Sequence, residues 1–379
     1  MTNSDDLYFD YNANTPIDDE VASFMTKLMD EQLGNPSSGY GRGTRAKEIL
    51  EEGRGRVARL IGAEPDEILF TSGGTESNHT VLHGLFHLNR LNRPHFVSSS
   101  IEHPAIIRPL QHLEHYGASF SLVNVDSDGL IDPKDIDQQI KSETVLISVM
   151  HANNEVGTIQ PVAEISKIAR RQKVLMHCDA AQSVGKVPVD VNELGVDYLS
   201  VAGHKLYAPE GIGALFVRRG VPFYPFMHGG GQEAGRRAGT ENVLFAAALG
   251  KACEIASRDL DVQASRLLDL RGYMATSLKQ KLRGKVRVNG HAAKVLPNTL
   301  HVSFIGHTGA ELLEKIPRLC ASTGAACHSG EVAMSSVLQA MEMNEDGARG
   351  AIRFSLGRYT TKADVEQVLS AIVAVVKDL

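Results

Sequence analysis

The stretch KVLMHCDAAQS, residues 173–183, runs from apolar residues into a carboxylate and two alanines before it turns polar. A short apolar run of this kind reads as a buried strand, and the change at its end as the point where that strand leaves a sheet. Six further runs share the pattern between about residues 66 and 220: EILFTS, PHFVSSS, FSLVNV, TVLISVM, VDYLSVAG and GALFVRR, with amphipathic stretches between them. Strands alternating with helices predict an α/β unit around a largely parallel sheet. Most of these runs end in polar or glycine-rich residues, and open α/β sheets take their ligands beyond the carboxyl ends of the strands. The chemistry is expected there.

The rest of the chain sets the surroundings. At 379 residues it is too long for one small domain. A helical pattern near 243–282 is followed by VRVNG, NTLHVSFIG and AIRFSLG, which predict further strands and a smaller α+β lobe. With 42% hydrophobic and 22% charged residues, and no run of about 18 apolar residues, neither disorder nor a membrane span is indicated. The acidic start MTNSDDLYFD has neither a basic nor an apolar leader region, so a cytoplasmic location is expected. A net charge of −6 with scattered basic residues argues against nucleic-acid binding. The four cysteines, Cys178, Cys253, Cys320 and Cys327, lack CxxC spacing, so no disulfide framework and no metal site is expected.

Three strand ends carry candidate chemistry. In FTSGGTESNHTVLHGLF a strand runs through Gly73, Gly74 and Thr75 into a helix with apolar Val81, Leu82 and Leu85. Backbone N–H groups at a helix start, with a threonine hydroxyl, can cradle a phosphate, although a glycine turn before a helix is commonly only a turn. Asp179, with Gln182 three residues on, can ligate a metal, cap a helix or keep a heterocyclic nitrogen protonated. His204 and Lys205 lie in a glycine-flanked turn, where a lysine is either a solvated surface residue or an amine of lowered pKa. Each motif is open alone. Together, in one α/β unit, they are a phosphate anchor, a pyridinium partner and a Schiff-base lysine, the parts that pyridoxal phosphate requires. His103 in SSSIEHPAI adds a ring-stacking or proton-moving group.

With these residues the chain resembles the cysteine desulfurases and selenocysteine lyases, fold-type I pyridoxal-phosphate enzymes of the class V aminotransferase type. The segments carrying the resemblance are YFDYNANTP, GNPSS, FTSGGTESN, IEHPAI, MHANNEVGTIQPV, HCDAAQSVGK, GHKLYAPEGIGAL, GGGQE, GTEN, GAACHS and IRFSLGRYTT. They cover nearly the whole chain in the family's order. The resemblance implies a large cofactor-binding domain over 15–256 with a mostly parallel seven-stranded sheet. It implies a small α+β domain from 1–14 and 257–379 that carries the cysteine loop. It makes Lys205 the Schiff-base lysine, pairs Asp179 with the pyridine nitrogen and brings Gln182 to the ring hydroxyl oxygen. His103 would stack on the ring, and Gly74, Thr75 and His204 would hold the phosphate. Thr240 in GTEN would reach the phosphate of a neighbouring subunit, which implies a homodimer with shared active sites. Asn154 and Arg353 would bind the substrate carboxylate. Cys327 aligns with the catalytic cysteine, which would take sulfur or selenium from L-cysteine or L-selenocysteine, leave alanine and pass the atom to an acceptor protein.

A lone cysteine reads first as a core residue. Around Cys327, however, the flanks are Ser322, Thr323, Gly324, Ala325 and Ala326 before and His328, Ser329 and Gly330 after, which suit a loop that carries a thiol. The other three cysteines keep the core reading, and Cys178 should point away from Asp179 on its strand. Three departures separate the chain from many desulfurases. Ala202 stands where a serine often precedes the His-Lys pair, Ala234 replaces an arginine after the glutamate of GGGQE, and the loop reads GAACHS rather than GSACTS. The first and third resemble selenocysteine lyases. In EVAMSSVLQAMEMNEDGA, methionines at helical spacing suit either a partner surface or, more often, core filling.

Overall fold

All seven apolar runs are strands of one sheet in the computed structural model, which describes residues 6–323, 325–328 and 331–378, with backbone alone over 325–328 and 331–333. Across the sheet the order is Ile68–Thr71, Gly213–Val217, Tyr198–Ala202, Leu175–Asp179, Thr144–Ser148, His95–Ser99 and Ser119–Val123. Only Gly213–Val217 runs against its neighbours. A parallel neighbour needs a long crossover, whereas Tyr198–Ala202 is followed by one short turn and returns beside itself. That turn, Gly203–Lys205, sets the lysine at the carboxyl edge of the sheet.

Alternation along the strands separates two apolar faces. Leu69, Phe96, Leu146, Tyr198 and Leu215 pack with Val81, Leu82 and Leu85 of the helix Gly74–Asn89. Ile68, Val97, Ile147, Cys178 and Leu199 pack on the other side with Leu50 and Val57 of the helix Gly41–Leu60. Cys178 therefore turns into the core and Asp179 out of it, as the strand period predicts. Cys253 is likewise buried, and burial pushes both thiols far above the ordinary cysteine range.

The later strands form a second, antiparallel sheet in the order Ser322–Thr323, Ala351–Ser355, Thr299–Phe304 and Val286–Asn289. The helix Val243–Lys281 serves both halves: Ala246 to Ala256 lie in the core of the large sheet. Leu267, Met274 and Leu278 pack instead with Val365, Val368 and Ile372 of the helix Lys362–Asp378. The first half meets the helix Gly41–Leu60 at a glycine pair, where a Cβ on Gly250 would sit 2.5 Å from Gly53 Cα. Gly250→Ala is therefore expected to destabilise the fold by about 1–3 kcal/mol. Urea unfolding checks this, and an unchanged midpoint would show that the two helices can part without cost.

Residues 331–348 differ from the single methionine-rich helix expected. Two short helices, Ser336–Ala340 and Glu345–Arg349, are separated where Glu342 takes a φ of 53°. Met341 and Met343 fill a core with Ile101, Met150 and Leu338. The backbone of Ala325–His328 pairs antiparallel with Glu331–Met334, Cys327 opposite Val332. The side chain of Cys327, with Gly324, Ser329 and Gly330, lies outside what is described. No helix among the described residues is long and apolar enough to cross a membrane.

Candidate active site

Beyond the carboxyl ends of the large sheet, between it and the strand Ala351–Ser355, lies a cavity of 540 Å³. Gly74, Thr75, His103, Asn154, Asp179, Gln182, His204, Lys205 and Arg353 all line it. Such a volume is in the range of small-molecule sites. Thr240 is exposed and is not part of its lining.

At one end stands the start of the sixteen-residue helix Gly74–Asn89. The chain enters through Gly73 at φ 154°, a conformation that side chains other than glycine rarely adopt. The first N–H groups of a helix have no partner within it and carry the positive end of its dipole, which suits an anion. Glu76 is turned away from that task. Its carboxylate accepts from Ser72 N at 2.8 Å and pairs with Arg237 Nε at 2.9 Å. Burial raises the Glu76 pKa, but Arg237 and Ser72 outweigh it and leave the carboxyl below its usual range. Ala202 borders this end, its Cβ 3.5 Å from where a Cβ on Gly74 would lie, so it offers no hydroxyl there.

At the centre, Asp179 ends its strand with both oxygens held: Oδ2 accepts from Asn78 Nδ2 at 2.7 Å and Oδ1 from Ala181 N at 3.0 Å. The carboxylate is thereby fixed toward the cavity it lines. His103 caps the helix Pro104–Glu114, its Nδ1 accepting from Ala105 N at 3.1 Å. That bond leaves the proton of the neutral ring on Nε2. Burial holds the ring neutral by pulling its pKa down, with Asp179 acting against it and Lys205 with it. Burial also lowers the pKa of the half-buried His204, helped by Lys205.

Lys205 Nζ donates to the backbone oxygens of Asn12, at 2.6 Å, and Ala13. Burial lowers its pKa to about 8, the Arg353 charge adds to the effect, and Asp10 and Asp179 oppose it. An amine poised there can donate or accept a proton near neutrality. Arg353 lies on the second sheet, 8% exposed. It donates from Nη1 to Asn154 O at 2.9 Å, and from Nη2 to Asp10 Oδ1 at 2.6 Å and Ser322 Oγ at 2.9 Å. Its buried Nε has no hydrogen-bond partner. The guanidinium nonetheless lines the cavity, where its charge suits a carboxylate.

The fold also brings in residues to which the sequence assigned no role. Asn78 lies within FTSGGTESN, and Asp10 and Asn12 within YFDYNANTP; these segments were legible as motifs, but nothing local connects them to Asp179, Arg353 or Lys205.

Residues 7–368 match the family described as aminotransferase class-V. The chain is 41% identical over 376 residues to a protein named cysteine desulfurase IscS from Dictyoglomus turgidum, covering 99% of this chain and 95% of that one. It is 40% identical to a protein of the same name from Methanosarcina thermophila, with 98% and 92% covered. A solved structure titled NifS-like protein superposes with a TM-score of 0.93 at 35% identity, covering 99% of this chain and 100% of its own. The chain therefore belongs to the class-V aminotransferase family and, within it, to the cysteine desulfurases, whose cofactor is pyridoxal phosphate.

Proposed function

We propose that the protein removes sulfur from L-cysteine, giving L-alanine and leaving the sulfur on Cys327 for transfer to an acceptor protein. The observation that carries this reading is the meeting, in one cavity, of an amine with a pKa of about 8, a carboxylate fixed by Asn78, a neutral imidazole and a guanidinium. The donor set fits pyridoxal phosphate: Gly74, Thr75 and His204 would hold its phosphate, Asp179 its pyridine nitrogen, Gln182 its ring oxygen, His103 its ring face and Lys205 its aldehyde carbon. When bound, the cofactor supplies an electron sink for the charge left at the substrate α-carbon.

The remaining work falls to the chain. Arg353, the cation of the cavity lining, would bind the substrate carboxylate, with Asn154 beside it. Lys205, neutral above pH 8, accepts the proton at Cα. Asp179, its carboxylate fixed by Asn78 and Ala181 N, would pair with the ring nitrogen. His103 holds a proton on Nε2 for the substrate carbon, which keeps the electron pair of the C–S bond as its sulfur passes to Cys327. The thiolate of Cys327 is the sulfur acceptor.

Ala202 and the GAACHS sequence favour L-selenocysteine as a second substrate. Thr240, exposed and outside the cavity, is free to serve a second subunit, which supports a homodimer with shared sites. The division at residues 14 and 256 is likewise our reading, supported by the passage of the helix Val243–Lys281 from one core to the other.

The test is steady-state turnover of cofactor-loaded wild type and Cys327→Ala on both substrates, following alanine with sulfide or selenide. Cysteine turnover is expected to vanish in the variant. Turnover retained by Cys327→Ala would overturn the role given to the thiol, and turnover confined to selenocysteine would make the protein a lyase.

A further inference from the structure

Behind the cavity stands a lysine that no step above uses. Lys186 Nζ donates to Gln182 Oε1 at 2.8 Å and to Asn12 Oδ1 at 3.0 Å. Gln182 Nε2 donates to Asn12 O at 2.9 Å, the same backbone oxygen that receives Lys205 Nζ. The Asn12 side chain is held from all sides: Oδ1 also accepts from Asn298 Nδ2 at 3.0 Å, and Nδ2 donates to Thr299 Oγ1 at 2.8 Å and Asn154 O at 3.2 Å.

A glutamine amide has one acceptor and two N–H donors. Here Lys186 occupies the acceptor and the Asn12 carbonyl takes one N–H. The donor that Gln182 can still offer the cavity it lines is its second N–H. Without the amine, Oε1 loses its donor in a buried setting and the amide is free to turn.

Lys186 is poorly suited to a purely structural role. Among the described residues no carboxylate pairs with it, and its amine is desolvated beside the cations Lys205 and Arg353, which with burial push its pKa well below the usual lysine range. A buried amine without an anion weakens a fold, and an apolar side chain of similar length would serve stability better.

We propose that Lys186 is a positioning residue of this site: its amine fixes which atom Gln182 presents to the ring oxygen of the cofactor and, through the Asn12 side-chain oxygen, helps hold the residue whose backbone oxygen receives Lys205. The proposal rests on the reading that Gln182 faces the cofactor ring. Besides Lys186, the titratable and charged groups around the Lys205 amine are Arg353, His103, His204, Asp10 and Asp179, and none of them has a hydrogen bond to the Gln182 amide among the described residues.

The experiment compares cofactor-loaded wild type with Lys186→Met, Lys186→Arg, Gln182→Ala and the Lys186→Met/Gln182→Ala pair. Its readouts are the visible absorption of the bound cofactor as a function of pH, kcat and KM for L-cysteine, and thermal unfolding. Lys186→Met should unfold close to wild type, the removed desolvation of the amine offsetting the donor that Gln182 Oε1 loses, yet move the pH midpoint of the absorption band by about one unit. Its kcat should fall about tenfold with KM little changed. Gln182→Ala should move the midpoint in the same direction, and the pair should move it no further than the larger single change, because the two residues act through one contact. Lys186→Arg keeps a donor, and a 30 Å³ cavity beside Lys186 leaves it room, so the band should return toward wild type. A wild-type midpoint in Lys186→Met while Gln182→Ala shifts overturns the proposal and leaves the reading of Gln182 standing. A midpoint unmoved by Gln182→Ala overturns both. Loss of folding or early unfolding in Lys186→Met shows a structural role only and also overturns it.

Discussion

Lys205→Ala should leave a folded protein whose turnover of L-cysteine, loaded with cofactor, drops by about 10³-fold or more. The expectation comes from what the amine touches. Among the described residues it bonds only to the backbone oxygens of Asn12 and Ala13, so its loss breaks no ion pair there, while the site loses the base that would face the substrate α-carbon. The same geometry fixes the sign of a pH effect on the cofactor-free protein. Because the folded-state pKa is lowered from 10.5 to about 8, holding the protonated amine in place weakens the fold fully below pH 8. That burden fades between pH 8 and 10.5, as the folded state sheds its proton first. Cofactor-free Lys205→Ala should therefore resist urea better than wild type at pH 7, with the gain shrinking by pH 10. Turnover within tenfold of wild type, or a gain that grows with pH, would falsify the assignment of this amine.

The second large effect concerns stability and the loop that carries Thr240. Glu233, at a left-handed φ of 51°, is buried against Arg54, with Arg54 Nη1 to Oε2 and Nη2 to Oε1 both at 2.7 Å. Its Oε2 also accepts from Phe70 N at 3.0 Å, at the edge strand of the large sheet. Burial lowers the Arg54 pKa, but the bonds from Glu233 and then Glu51 more than reverse it, so the guanidinium stays charged. Glu233→Ala thus leaves a buried cation whose remaining anion among the described residues is the exposed Glu51, and should cost about 3–5 kcal/mol. Replacing both partners, as Arg54→Met with Glu233→Met, should recover most of that loss, because the charge and its orphaned partner leave together. Chemical unfolding of the single and double variants measures this. A Glu233→Ala loss below about 1 kcal/mol would mean that the pair behaves like an exposed one.

This ion pair also shows where sequence reasoning stopped. Ala234 stands where an arginine often follows the glutamate of GGGQE, and although Arg236 and Arg237 remain, the sequence does not say what holds this loop. In the fold, the neighbouring residues supply the anchors: Glu233 on Arg54, Arg237 on Glu76 and Arg236 on Ile68 O. Glu76 and Arg237 are 161 positions apart, and Arg54 and Glu233 are 179 apart. Charge pattern along the chain carries no information at such separations.

The sequence by itself determined the seven strands, the second sheet and the helix joining the two halves, because period-two and helical patterning are local consequences of burying one face of an element. It also pointed to Gly74, Thr75, His103, Asp179, Gln182, His204 and Lys205 in the cavity lining, since ligands meet open α/β sheets at strand ends, whereas Asn154 and Arg353 came only with the family resemblance and Asn12 and Asn78 were given no role. Only the tertiary structure decided how those residues are held. It set Asn78 on Asp179, parked Lys205 on the Asn12 and Ala13 carbonyls, paired Arg353 with Asp10 and placed Lys186 behind Gln182. Each of these contacts joins segments whose spacing along the chain is arbitrary. A hydrogen bond or ion pair acts over a few ångströms, and only folding brings its two ends within that distance.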